Sequence, residues 1–265
     1  MIPALRLELR RGRMLVLWVG LVSVLYAGGM TLFYPMILEN AAAFEELLKV
    51  YPKELMAAFG IQGSLGDQGT FLNSYIFQYL WPLVAGIVAI LTATRVAADA
   101  DTGFLDLPLS TRLPRVRYLA AAIVGQMVAL TTLTAMTVGA IWAVDLLIEP
   151  NFPTDRLILT GLHALLLAFA IAAVTTLLAV TFLDRGKAGG LAAGMLILMY
   201  LLNVLVQLSP SLAEIGRLSA FHYFDLRDLI DTGSYPIGGS LLYLAVAIGA
   251  WLVALWAFRR RDLVV

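Results

Sequence analysis

Six stretches of this chain hold no Asp, Glu, Lys or Arg: residues 14–38, 68–94, 118–144, 157–183, 188–213 and 232–258. Each exceeds the roughly 20 apolar residues that a helix needs to cross a hydrocarbon layer about 30 Å thick. They do not show the alternating apolar segments of about 10 residues that mark a transmembrane β-barrel. Lipid offers no partner to an unpaired backbone N–H or C=O, so helices are the expected solution. The pattern predicts an all-α polytopic membrane protein: one domain over 1–265, with six transmembrane helices.

Composition sharpens this expectation. Of the residues, 61% are apolar and 14% charged, against about 25% charged in soluble domains, so lipid must be the solvent for much of the surface. The net charge is zero, but its layout is uneven. With the amino terminus taken as cytoplasmic, the inner segments hold Arg6, Arg10, Arg11, Arg13, Arg95, Arg112, Arg115, Arg117, Arg185, Lys187, Arg259, Arg260 and Arg261. The outer segments hold Lys49, Lys53, Arg156, Arg217, Arg227 and most of the acids. The positive-inside bias therefore predicts both termini in the cytoplasm and an even number of spans. The first window is longer than the roughly 7–15-residue core of a signal peptide, so a retained anchor is expected. There is no cysteine, which removes disulfides and thiolate metal sites from consideration.

Trp18, Tyr34, Trp81, Trp142 and Trp256 lie near window ends, where aromatic rings favour the headgroup layer. Pro82 lies inside the second window and is expected to kink or offset it. The outer segments 39–67 and 209–237 are long, while 149–156 is tight. On the inside, 95–117 is substantial and 184–187 barely a turn. In residues 1–13, Ile2, Leu5 and Leu9 share one helical face and Arg6, Arg10 and Arg13 the neighbouring one, the pattern of a cytoplasmic amphipathic helix able to lie in the interface. The same arginines also serve simply to set orientation.

Segment 95–117 opens with Asp99 and Asp101, follows Gly103 with Phe104, Leu105 and Leu107, and ends in a basic run that includes Arg112. Apolar residues on a short polar segment suggest a docking surface, with a solvated connection as the plainer reading. Residues 99–117 resemble the cytoplasmic segment of bacterial ABC-2 type transporter permeases, where an acidic stretch and a Gly precede a leucine-rich turn and a Ser-Arg or Ser-x-Arg ending. Leu218-Ser-Ala-Phe-His-Tyr-Phe-Asp225 is similar to the Ser-Pro-Phe-His-Tyr stretch between their fifth and sixth spans, and Phe258-Arg-Arg-Arg-Asp-Leu263 to their usual ending. Ala220 stands where that family often has Pro, and Asp99 and Asp101 where Glu is common.

The resemblance implies an ABC-2, type V-like, permease architecture in the prokaryotic plasma membrane. It implies a dimer of permease chains, identical or related, driven by separate ABC ATPase subunits that bind ATP and Mg, with export the commoner direction. Asp99, Asp101, Phe104, Leu105, Leu107 and Arg112 would then form the segment that couples to the ATPase. The residues themselves agree in one respect, because no G-x-x-x-x-G-K-[ST] loop is present: Gly186-Lys187-Ala188 has Thr181 in place of the first Gly and Ala188 in place of the hydroxyl residue. No cofactor and no nucleic-acid partner are expected for the chain itself.

Uncharged polar residues inside the windows mark candidate contacts along a pathway, since amides exposed to lipid are costly. Gln78, Tyr200, Asn203 and Gln207 are the pathway candidates, with Gln126 and Thr131, Thr132, Thr134 and Thr137 as further polar positions. Hydrogen bonding between helices is their plainer role. The aromatic run Tyr75, Phe77, Tyr79 and Trp81 suits membrane-edge anchoring or an amphipathic cargo. Gly186, Gly190 and Gly194, four apart, predict close helix packing within the chain ahead of contact between chains. The lack of charge in all six windows disfavours a carrier driven by protons or ions. Two other classes stay open: a passive channel or assembly scaffold, and an intramembrane enzyme. The latter would need His163 or His222 within hydrogen-bond reach of a nucleophile.

Overall fold

The structure, a computed structural model, describes residues 2–48, 50, 52, 66–103, 114–149, 152–208 and 213–260. Every regular element among them is helical, and six helices are long and apolar enough to cross a membrane. Helix α1 is Ile2–Glu39 and α2 is Ala41–Leu48. The second span runs through α3 (Gln68–Leu72), a π-helix (Asn73–Leu80), α4 (Trp81–Ala93) and α5 (Arg95–Asp101). Then come α6 (Arg115–Asp145), α7 (Thr154–Phe182) and α8 (Arg185–Leu208). The segment before the last span folds as α9 (Ala213–Gly216), a 3₁₀ turn (Ala220–Tyr223) and α10 (Arg227–Thr232), and α11 (Ile237–Arg260) closes the chain.

Helix α7 sits at the centre, packed by α4, α6, α8 and α11, while α1 lies along α6. Small residues make this possible. Gly161, Ala164, Ala168, Ala172 and Ala179 of α7 are buried, and close backbone approach is how helices associate where lipid is as apolar as leucine. A Cβ on Gly161 would stand 2.6 Å from Val138 Cγ2, so a larger residue there would force Val138 to shift. Half of the α7 window is buried against 6% of the α8 window, which leaves α8 as a peripheral helix held along one narrow edge.

Three expectations are corrected. The amino-terminal segment is not a separate interfacial helix: it forms the first turns of α1, which runs unbroken into the first span. Trp81 and Tyr34 are core residues, 2% and 1% exposed, whereas Trp18, Trp142 and Trp256 face outward as belt residues do. Tyr34 is drawn inside by donating to Gly66 O at 2.7 Å, and the neighbouring Phe77 is buried as well. The glycine stripe does not pack within the chain. Among the described residues, nothing lies within 4 Å of a Cβ built on Gly190 or Gly194. Contact is made instead by the adjacent stripe: Ala188 meets Ala97 and Ala179, and Gly189 lies against Thr94 and Ile90.

Pro82 has the local effect expected of it, by a specific route. It has no N–H to offer Gln78 O, and in an α-helix its ring would press on that carbonyl. The chain opens into the wider π-form over Asn73–Leu80 just before it, and Trp81 N–H reaches back five residues to Ile76 O. At the opposite end of the bundle, α7 and α8 are joined by two residues only. Leu183 there takes the left-handed conformation (φ 52°) that glycine usually supplies at a helix end. Asp184 accepts from Lys187 N–H at 2.8 Å to start α8.

Candidate functional site

The four pathway candidates come from two spans and meet at one place. Gln78 on the π-helix faces Tyr200, Asn203 and Gln207 on α8, and with Val204, Phe221 and Phe224 they line a cavity of about 20 Å³. That is room for a single water. Gln207 Oε1 is buried there without a hydrogen-bond partner among the described residues, a condition that costs about 1–3 kcal/mol for a polar group shut away from water. Two local causes place these groups. The π-turn re-aims Gln78, and the spacing of 200, 203 and 207 puts three polar side chains on one face of α8. Beside this cavity an apolar one of about 160 Å³ continues along Pro82, Leu83, Leu196, Ile197 and Leu201. The seam between the second and fifth spans is therefore loosely filled and partly polar.

Other polar residues in the spans act as braces. Gln126 Oε1 accepts from Thr176 Oγ1 at 3.0 Å and ties α6 to α7. Thr134 and Thr137 return their hydroxyls to Leu130 O and Leu133 O of their own helix. Gln68 donates through Nε2 to Asp145, whose other oxygen accepts from Phe152 N–H at 2.9 Å. These contacts fasten the π-helical span to α6 at the far end of the bundle.

The end that carries the amino terminus holds a charged joint. Asp99, 6% exposed, accepts from Arg11 Nη1 at 2.8 Å and from the Tyr118 hydroxyl. Glu8, 5% exposed, lies 3.5 Å from Arg11 and 3.8 Å from Arg95. Asp101 accepts from Arg185 N–H at 2.8 Å. The two carboxylates of α5 thus bind α1, α6 and α8 at once. Of the remaining coupling candidates, Phe104, Leu105, Leu107 and Arg112 lie outside the described residues. Sequence reasoning missed Arg11 and Tyr118 as partners of Asp99, and Glu8 as the acid that shares Arg11 with it. The one legible signal was a lone acid, Glu8, inside a run of arginines.

His163 is wholly buried. Its Nε2 faces Tyr223 O at 3.1 Å and its Nδ1 faces Ser240 Oγ at 2.8 Å. A carbonyl only accepts, so Nε2 carries the proton and Nδ1 accepts from Ser240, which itself lies 2.8 Å from the Tyr235 hydroxyl. A histidine within reach of a serine is what a nucleophile would require. Here, however, the ring stacks on Phe224 at 5.5 Å and packs on Tyr243 at 5.3 Å, enclosed among aromatic side chains. The pair reads as a brace that pins the 3₁₀ turn to α11. Outside the spans, burial raises the Asp225 carboxyl, but hydrogen bonds from the Arg227 side chain and backbone outweigh it and hold Asp225 below the usual carboxylate range.

No protein-family model matches this sequence, and no curated protein matches it significantly.

Proposed function

We propose that the chain is the membrane-spanning permease subunit of an ATP-driven ABC-2 type transporter, an exporter of the prokaryotic plasma membrane. It works as a pair of permease chains, with separate ATPase subunits supplying ATP and Mg chemistry. The observation that carries this reading is the joint at Asp99 and Asp101. Segment 95–117 is where an external engine would seat, and its first two carboxylates are bonded to three other spans. A displacement of that segment would therefore pull on α1, α6 and α8 together. Helix α8 also carries three of the four polar residues of the seam with the π-helix, so moving it would open or close the polar strip that spans 2 and 5 share. A partner that binds differently to two positions of the segment shifts the balance between two arrangements of the spans by that difference.

The test is purification of the chain from its host with its associated proteins, followed by reconstitution. An ATP-binding protein should accompany it, and transport should require hydrolysis by that protein. Phe104→Asp should leave the spans inserted while uncoupling hydrolysis from transport. Full-rate transport by the chain reconstituted alone, or conduction without nucleotide, would overturn the reading in favour of a carrier or a channel.

A further inference from the structure

Beside the joint, between α1, α4, α5 and the start of α8, lies a further cavity of about 390 Å³. Its composition is split. Arg11, Arg95 and Arg185 line it together with Asp99, and Leu15, Leu91 and Ala98 form its apolar part. Among the described residues, three guanidinium groups thus line the cavity with one carboxylate, Asp99, while Glu8 lies beside Arg11 and Arg95 and Asp101 accepts from the Arg185 backbone N–H at 2.8 Å. Arg11 is shared between both acids, Arg95 stands 3.8 Å from Glu8, and among the described residues the Arg185 guanidinium has no carboxylate within 4 Å. Arg11 and Arg185 both repel the Arg95 charge. The backbone makes room for this crowding: a Cβ on Gly12 would come 3.2 Å from Arg95 Nη1, so glycine lets the guanidinium lie across α1.

An excess of cation, in a cavity that is open on one side and greasy on the other, fits a ligand with an anionic head and an apolar body. Planar guanidinium groups match phosphate oxygens two at a time. The cavity lies at the ends of the spans, the level of lipid headgroups, and basic pockets between spans on the cytoplasmic side are a known form of headgroup site. We propose that this cavity binds the phosphate of an acidic membrane lipid, with the lipid's apolar part against Leu15 and Leu91. The bound phosphate neutralises the surplus guanidinium charge and cross-links α1, α5 and α8 beside Asp99. This inference stands independently of the transporter reading.

The experiment places the full-length protein in lipid nanodiscs of phosphatidylcholine with and without phosphatidylglycerol. It counts retained acidic lipid by native mass spectrometry during delipidation. The wild type is expected to keep one phosphatidylglycerol that outlasts the rest. Arg185→Gln, at an exposed position and with the backbone N–H to Asp101 retained, should weaken its retention about fivefold, and Arg95→Gln with Arg185→Gln further still. Arg6→Gln with Arg10→Gln, exposed on α1 outside the cavity, should leave it unchanged. Equal retention by the wild type and the cavity variants would overturn the proposal, as would an equal loss in the Arg6 and Arg10 control. A further arm titrates inorganic phosphate in pure phosphatidylcholine discs and follows thermal stability. Saturable stabilisation that Arg185→Gln abolishes would assign the site to free phosphate and overturn the lipid.

Discussion

Asp99 concentrates the energetics of one end of the molecule on a single side chain. It is almost wholly buried, it answers Arg11 and Tyr118, and removing one member of a buried charged set leaves the others uncompensated. Asp99→Ala is therefore expected to destabilise the protein by about 3 kcal/mol, seen as a lowered unfolding temperature in detergent. Tyr118→Phe in the same background should add little more, because the two share one interaction; full additivity would show that they act separately. The charge pair at Asp225 and Arg227 behaves differently. Its carboxyl is depressed in the folded state, so whatever it contributes is complete above the unfolded value of about 3.9 and lost only as pH falls through the lower folded value. Amide protection factors in α10, corrected for the intrinsic exchange rate, should be flat from neutral pH down to about pH 5 and fall only in stronger acid. A fall nearer pH 6 would point to a histidine instead.

Among the elements, the π-helix and its proline decide the site. Pro82→Ala restores the missing N–H, which allows the ordinary α-ladder back through Gln78 and turns that side chain away from Asn203 and Gln207. If the chain is the proposed permease, transport should fall sharply while thermal stability holds or rises; unchanged transport would mean that the re-aimed Gln78 is not needed. Helix α11 makes the complementary case. A Cβ on Gly239 would stand 2.7 Å from Tyr223 O and 3.2 Å from His163 Cε1. Backbone cannot give way as a flexible side chain does, so Gly239→Ala is expected to cost about 1–3 kcal/mol. The damage should fall on the 3₁₀ turn, measurable as faster amide exchange in Ala220–Tyr223 rather than across the whole bundle.

The whole molecule is a bundle around α7 with α8 left at its margin. The open face at Gly190 and Gly194, together with outward-facing Leu191, Ile197, Leu198 and Leu201, is where a second permease chain would lie if the proposed pairing holds. The chain has no cysteine, so Gly194→Cys gives a single thiol without further changes. Copies in native membranes should then cross-link on oxidation, with Gly249→Cys on α11 as a contrasting position. No cross-link at 194 alongside one at 249 would move the pairing face to the last span.

Charge-free windows determined the six spans, because burying even one unpaired charge in lipid is costly enough to mark every boundary. The same sequence named Gln78, Tyr200, Asn203 and Gln207 one by one as polar groups in the wrong solvent. Their meeting in one seam was decided only by tertiary structure, since it depends on the π-turn before Pro82 and on how α8 docks through Ala188 and Gly189. The bonding of Asp99 to Arg11 and Tyr118 was likewise invisible, because the partners stand 88 and 19 residues away. Local pattern reports what each segment must avoid. Which segments satisfy one another is settled by the packing of the chain as a whole.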